Sequence, residues 1–253
     1  MRDDRPVLCC PDKFRGSLRA DEAAAAFARG VERTGRPARM LPLADGGEGT
    51  LAVLCPDPAD VRVARVIGPL GEPVDASWGL RDGNAVVESA QASGLALVDG
   101  VNDPLAATTR GTGELIRLAV DAGARRVIVA VGGTATVDGG LGALEALEFD
   151  LRGTQVLVAC DVETTFVDAA RVFGPQKGAD ASTVAELEER LERLADRYRD
   201  QLGPRTQARA DRREAARESA GGAAARQRAN VDAELVAVPV GVPLEALLEL
   251  GDR

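Results

Sequence analysis

Two stretches of the chain, VIVAV at 127–131 and VLVAC at 156–160, are apolar at every position. A strand exposed on one face alternates apolar and polar side chains, because successive residues point to opposite sides. A strand without that alternation needs cover on both faces, as in a parallel sheet flanked by helices. The surrounding pattern agrees. Strands are predicted at 7–10, 38–42, 61–67, 74–80, 84–89, 126–131 and 154–160. Helices are predicted at 18–33, 47–54, 111–122, 138–147 and 183–202. This β–α alternation implies an α/β fold.

Residues 56–105 differ: three strand patterns, turn signals such as GPLGEP and RDGN, and no clear amphipathic helix. They read as a small β-rich domain inserted into a main domain made of 1–55 and 106–203. The helix at 183–202 has Val184, Leu187, Leu191, Leu194, Tyr198 and Leu202 at three- and four-residue spacing. Thr183 and Glu186 form its expected capping box, and Gly203 with Pro204 its stop. Its charges read as a solvated face. After Pro204 the chain turns rich in arginine and alanine, without bulky aliphatic residues as far as Asn230, and ELVAVPV and PLEALLEL stand near the end. Residues 204–253 are therefore expected to be an atypical, partly disordered tail. The abrupt change has the look of GC-rich DNA read out of frame.

Composition excludes several functions. A net charge of −9 argues against nucleic-acid binding. No apolar run approaches the ~20 residues of a membrane span, and the charged start MRDDRPV is unlike a signal peptide, so a cytoplasmic location is expected. The chain has no histidine and no C-x-x-C, which removes the usual zinc sites and every Ser–His or Cys–His nucleophile. The four cysteines read as buried reduced thiols. Any general base must be Asp, Glu, Lys or Tyr. Of 31 basic residues only Lys13 and Lys177 are lysine, and both lie in glycine-containing turns, PDKFRGS and FGPQKG. A flexible ammonium in such a turn is a recurrent phosphate contact.

Four turns share one design. In PDKFRGS, Asp12, Lys13, Arg15, Gly16 and Ser17 lie between a strand and a helix. LADGGEGT brings Asp45, Gly46, Gly47 and Glu48 to the same kind of junction. VGGTATVDGG brings Gly132, Gly133, Thr134, Thr136 and Asp138, and ACDV ends a strand on Asp161. Each alone is an ordinary strand-to-helix turn, with a residue such as Ser17 as cap. Together they lie at one edge of a parallel sheet, where such folds bind ligands. Glycine amides suit phosphate oxygens, and carboxylates suit Mg²⁺ or a substrate hydroxyl. There is no G-x-x-x-x-G-K-[ST] and no G-x-G-x-x-G, so neither a P-loop nor an ordinary dinucleotide-binding oxidoreductase is indicated.

In order, PDKFRGSL, PLADGGEGT, GPLGEPV, NDPLAATTRGTGELI, GGTATVDGG, ACDV and VFGPQKGA resemble the glycerate kinase family, from residue 7 to about 203. The resemblance implies a Rossmann-like domain with a second, smaller α/β domain, and transfer of the ATP γ-phosphoryl group to a hydroxyl of D-glycerate with Mg²⁺. It implies catalytic duties for Asp12, Lys13, Asp45, Asp138, Asp161 and Lys177. Lys13, Arg15 and Lys177 would neutralise phosphate or bind the substrate carboxylate. Asp45, Asp138 and Asp161 would share the metal and base roles in an order left open. Gly16, Ser17, Gly46, Gly47, Glu48, Gly132, Gly133, Thr134 and Gln176 would contact substrate or phosphate. Arg15 stands where the family commonly has lysine, and Val137 where it often has asparagine. The family's later GAGAAGG- and TGEG-type segments have no clear counterpart, which makes a catalytically impaired, ligand-binding remnant the alternative reading.

Overall fold

The computed structural model describes residues 5–14, 17–162, 164–198 and 236–238. Arg15, Gly16 and nearly all of the expected tail at 204–253 lie outside the described residues. Strand β1 (Val7–Cys9) leads through helix α1 (Ala20–Glu32) to β2 (Ala38–Met40), and α2 (Thr50–Leu54) follows. Then come β3 (Val61–Ile67), β4 (Pro73–Arg81), β5 (Asn84–Glu88), α3 (Ser89–Ser93) and α4 (Arg110–Asp121). The chain continues with β6 (Arg126–Ala130), α5 (Leu141–Ala146), β7 (Gln155–Ala159), α6 (Ala169–Phe173), α7 (181–198) and β8 (Val236–Val238). Strands β1 and β2 pair in parallel as a small sheet. The other six form one sheet in the order β3-β4-β5-β6-β7-β8, antiparallel across β3, β4 and β5 and parallel from β5 to β8. The fold is α/β.

The uniformly apolar strands are covered on both faces, as their composition requires. Ala85 and Val87, Val127 and Val129, and Val156 turn to one side, where Leu115, Ile116 and Ala119 of α4 and Leu147 pack on them. Val86, Ile128 and Leu157 turn to the other side, against Leu51, Leu54 and Cys55. The alternation within each strand is a period of two with both halves buried. A third cluster joins Val137, Ala170, Ala179, Leu187 and Leu191, which seats α7 beside the loop after β6.

Three expectations meet a different structure. Strands β3 to β5, expected within an inserted domain, are hydrogen bonded into the sheet that holds β6 and β7, so residue 105 does not divide the sheet. Trp78 and Val66 share their core with Leu115 and Val129 for the same reason. Helix α7 begins before Thr183: the Asp180 carboxylate accepts the Thr183 N–H at 2.8 Å and the Ser182 hydroxyl at 2.8 Å. Asp180 is thus the cap, and these donors hold its pKa down at about 2. At the other end of the chain, α1 starts at Ala20 rather than beside Ser17, because the Glu22 carboxylate reaches back to the Arg19 N–H at 2.9 Å.

Candidate active site

The turn after β1 meets the turn after β2 through a charge pair. Lys13 Nζ lies 2.6 Å from Asp45 Oδ1, and both side chains are about three-quarters buried. The same oxygen accepts the Gly47 N–H at 2.8 Å. Burial alone would push the Asp45 carboxyl up, but Lys13 and the Gly47 amide outweigh it and hold its pKa below the ordinary carboxylate value. The glycines of this turn make room for the large sheet. A Cβ on Gly46 would sit 2.5 Å from the Ala159 carbonyl oxygen at the end of β7, and Gly46 has φ +80°. A Cβ on Gly132 would sit 2.7 Å from Gly47 Cα. Across that contact the Gly132 N–H donates to the Gly46 carbonyl at 3.1 Å. The glycines of the β2 and β6 turns thus bring two separate sheets together at the carboxyl ends of their strands.

The loop after β6 receives the second lysine. Lys177 Nζ donates to Thr134 Oγ1 at 3.0 Å and to the Thr136 carbonyl at 2.6 Å. Burial pushes the Lys177 pKa down to about 8, against the opposing pull of the Asp138 charge. The Asn102 side-chain amide donates to the Ala135 carbonyl at 3.0 Å and to the Lys177 carbonyl at 2.8 Å.

Asp138 is held by four donors. Its Oδ2 accepts the Thr109 N–H at 2.8 Å, the Thr109 hydroxyl at 2.7 Å and the Gly142 N–H at 3.2 Å. Its Oδ1 accepts the Gly140 N–H at 3.1 Å. The carboxylate joins the start of α4 to the start of α5, where free amides and the helix dipoles favour an anion.

The expected residues therefore separate. Lys13, Asp45, Gly46, Gly47, Gly132, Thr134 and Lys177 are brought together around two contacting loops. Asp12 accepts the N–H of its neighbour Lys13 at 2.5 Å. Gly133 has φ +76° and gives its carbonyl to Leu95. Glu48, Gln176 and Asp161 are exposed. Ser17 neither caps a helix nor offers a free amide: its hydroxyl and its N–H both donate to the Phe14 carbonyl. Val137 is buried in the α6–α7 cluster, which accounts for an apolar residue there. Cys10 is exposed, contrary to the expectation of buried thiols, while Cys9 and Cys55 are buried.

The expected metal set Asp45, Asp138 and Asp161 is not assembled. Among the described residues no three His, Cys, Asp or Glu side chains lie where they could share a metal ion. Asp138 has four donors on its two oxygens, three of them on Oδ2.

Three residues of this region escape motif reading. Glu88, 2% exposed, ends β5 and accepts the Leu51 N–H at 2.6 Å at the start of α2. Burial raises its pKa against the donors that Leu51 and Gln91 supply. A carboxylate closing the apolar run NAVVE carries the same strand-end signature as Asp161. Asn102 and Thr109 lie inside NDPLAATTRGTGELI, where an asparagine and a threonine look like ordinary turn residues.

An α/β protein with its glycine turns and both lysines gathered at the carboxyl ends of its parallel strands is the class defined by fold and site. The model of the glycerate kinase family matches residues 7–153 and 147–239. The chain belongs to that family, and the match runs beyond the limit near residue 203 drawn from the motifs. A glycerate kinase of Bacillus subtilis (strain 168) is 42% identical over 225 residues, covering 73% of this chain and 59% of the relative. A glycerate 2-kinase of Escherichia coli (strain K12) is 39% identical over 224 residues, with the same coverage of 73% and 59%. The solved structure assigned as glycerate kinase 2 from Salmonella typhimurium LT2 superposes with a TM-score of 0.66 at 36% identity, covering 76% of this chain and 62% of that one. The chain thus spans about three-fifths of the length of these relatives. Among the described residues, no helix is long and apolar enough to cross a membrane.

Proposed function

We propose that this chain is an ATP-dependent glycerate kinase, transferring the γ-phosphoryl group of MgATP to a hydroxyl of D-glycerate in the cytoplasm. The observation that carries the reading, beside family membership, is that the chain's two lysines end on the same pair of contacting loops. Phosphoryl transfer asks a protein mainly for positioning and charge neutralisation. Lys177 and Lys13 supply the positive charge for the transferring phosphoryl group and the glycerate carboxylate. Mg²⁺ enters with ATP, whose phosphates provide much of its coordination. Asp45 stays ionised beside Lys13 and holds that ammonium in place. Asp45, Asp138 and Asp161 are the candidates to take the proton of the substrate hydroxyl.

A coupled ADP-release assay with ATP and D-glycerate tests the proposal. Glycerate-dependent turnover that falls in Lys177→Ala and Lys13→Ala is the expected result. Ligand binding without turnover by the unmodified chain would instead support the impaired remnant. That second reading is favoured by the arginine-rich sequence after Pro204, which lacks the family's later motifs. Neither binding nor turnover would overturn both.

A further inference from the structure

We propose that Asn102 is a positioning residue for Lys177, and that its side-chain amide sets where the lysine head rests. The proposal rests on Lys177 being a site residue, and on a closed bracket of hydrogen bonds. Asn102 is 9% exposed and stands on the loop before α4, 75 residues from Lys177. One N–H of its amide donates to the Lys177 carbonyl at 2.8 Å, the other to the Ala135 carbonyl at 3.0 Å. The lysine head returns to the residues on either side of Ala135, meeting Thr134 Oγ1 at 3.0 Å and the Thr136 carbonyl at 2.6 Å. Backbone and side chain of Lys177 are thus both fixed to one three-residue segment, and Asn102 is the backbone half of the clasp. Only a side chain with two N–H donors on one planar nitrogen joins two carbonyls this way.

The amide also carries a cost that simple packing does not explain. Asn102 Oδ1 is buried with no hydrogen-bond partner. An unsatisfied acceptor in the interior is unfavourable, so an apolar residue of similar volume would be the better filler if filling were its only role. What the apolar residue cannot do is hold residue 177 against the loop. The next residue, Gly178, has φ +94° and leaves the segment sharply, so the clasp acts where the chain departs.

The chain's two lysines make the test direct. Protein carrying ¹³C at the lysine ε position gives one resonance each for Lys13 and Lys177, assigned by Lys13→Arg. In the unmodified chain the Lys177 resonance should titrate near pH 8. Asp138 is the charged group known to act on this ammonium and favours its protonated form. In Asn102→Ala the Lys177 midpoint should rise by about one pH unit or more, toward the value of a solvated ammonium, with Lys13 unmoved. Asn102→Ser, which offers one donor instead of two, should move it less in the same direction, and it serves where the alanine variant does not fold. Thr154→Ala removes the buried bond of 3.3 Å from the Thr154 hydroxyl to the Ala124 carbonyl, just before β7, and should leave Lys177 in place, which separates positioning from general loosening. A folded Asn102 variant with an unshifted Lys177 titration overturns the proposal, as does an equal shift in Thr154→Ala. The reading needs no turnover, so its failure is distinct from failure of the kinase assay.

Discussion

Lys13 Nζ and Asp45 Oδ1 stand 2.6 Å apart across 32 residues of sequence, and their contact joins the turn after β1 to the turn after β2. It explains why a carboxylate in one turn is matched by a cation in the other. Each turn completes the other, and Gly46 and Gly132 carry the pair onto the large sheet. The charge that would face a phosphate is therefore fixed before any ligand arrives, the condition under which electrostatic stabilisation is most effective.

Asp45→Asn removes the charge and keeps the shape. Both partners keep some solvent contact, so we expect a loss of only about 1 kcal/mol at neutral pH. The folded pKa of Asp45 lies below the ordinary 3.8, so its contribution is complete above that value and disappears as pH falls through the folded one. Urea unfolding at pH 7 and at a series of values below 3.8 measures it: the difference between variant and parent should shrink as pH falls. Turnover should fall by more than the stability change explains, because Lys13 is released.

Lys177 gives a dependence of the same sign in a different window. Burial holds its folded pKa near 8 against the ordinary 10.5, so between those values the unfolded chain binds more protons than the folded one. Stability from this group therefore rises with pH across that window, and Lys177→Met should remove the rise. Activity that needs the protonated ammonium should fall as pH passes about 8. A rate profile unaffected up to pH 9 would remove Lys177 from the charge-neutralising role.

The strand-and-turn pattern was legible because it depends on local chemistry. VIVAV and VLVAC read as strands covered on both faces, and Val127, Ile128, Val156 and Leu157 are buried accordingly. Lys13 and Lys177 stood out as the two lysines in a chain of arginines. What stayed hidden depends on distance. Nothing local tells that Asp138 will bind Thr109, 29 residues away. Nothing in NAVVE tells that Glu88 will cap α2 from 37 residues beyond. The Asp180 cap lay three residues before the capping-box pattern placed on Thr183.

Glu88 separates a charge effect from a hydrogen-bond effect. Glu88→Gln keeps an oxygen for the Leu51 N–H and discards a buried charge. The raised pKa means that stability falls as pH climbs from the ordinary 4.5 through the folded value, and glutamine should abolish that fall. Glu88→Ala leaves the Leu51 amide buried without an acceptor and should cost about 1–3 kcal/mol. Thermal unfolding of the two variants at pH 7 gives the order: glutamine at or above the parent, alanine well below it.

Gly132→Ala tests whether the two turns must touch. A Cβ at Gly132 would stand 2.7 Å from Gly47 Cα, and backbone on both sides leaves no flexible atom to yield. We expect a loss of about 1–3 kcal/mol, the usual range for a side chain forced into a packed contact. The Gly46 carbonyl would separate from the Gly132 N–H, and the Lys13–Asp45 pair would shift relative to Thr134 and Lys177, so ligand affinity should drop together with stability. Gly30→Ala supplies the contrast. Gly30 lies within α1, and an added Cβ meets nothing within 4 Å. Alanine there should raise stability by about 0.5–1 kcal/mol, because glycine loses more freedom than alanine on entering a helix. Urea titrations give both stabilities, and calorimetry with ATP gives the affinities. Stabilisation by Gly30→Ala with unchanged binding, beside destabilisation and weakened binding in Gly132→Ala, is the expected pair of results. Full affinity in Gly132→Ala would show that the contact between the two glycine turns belongs to folding alone.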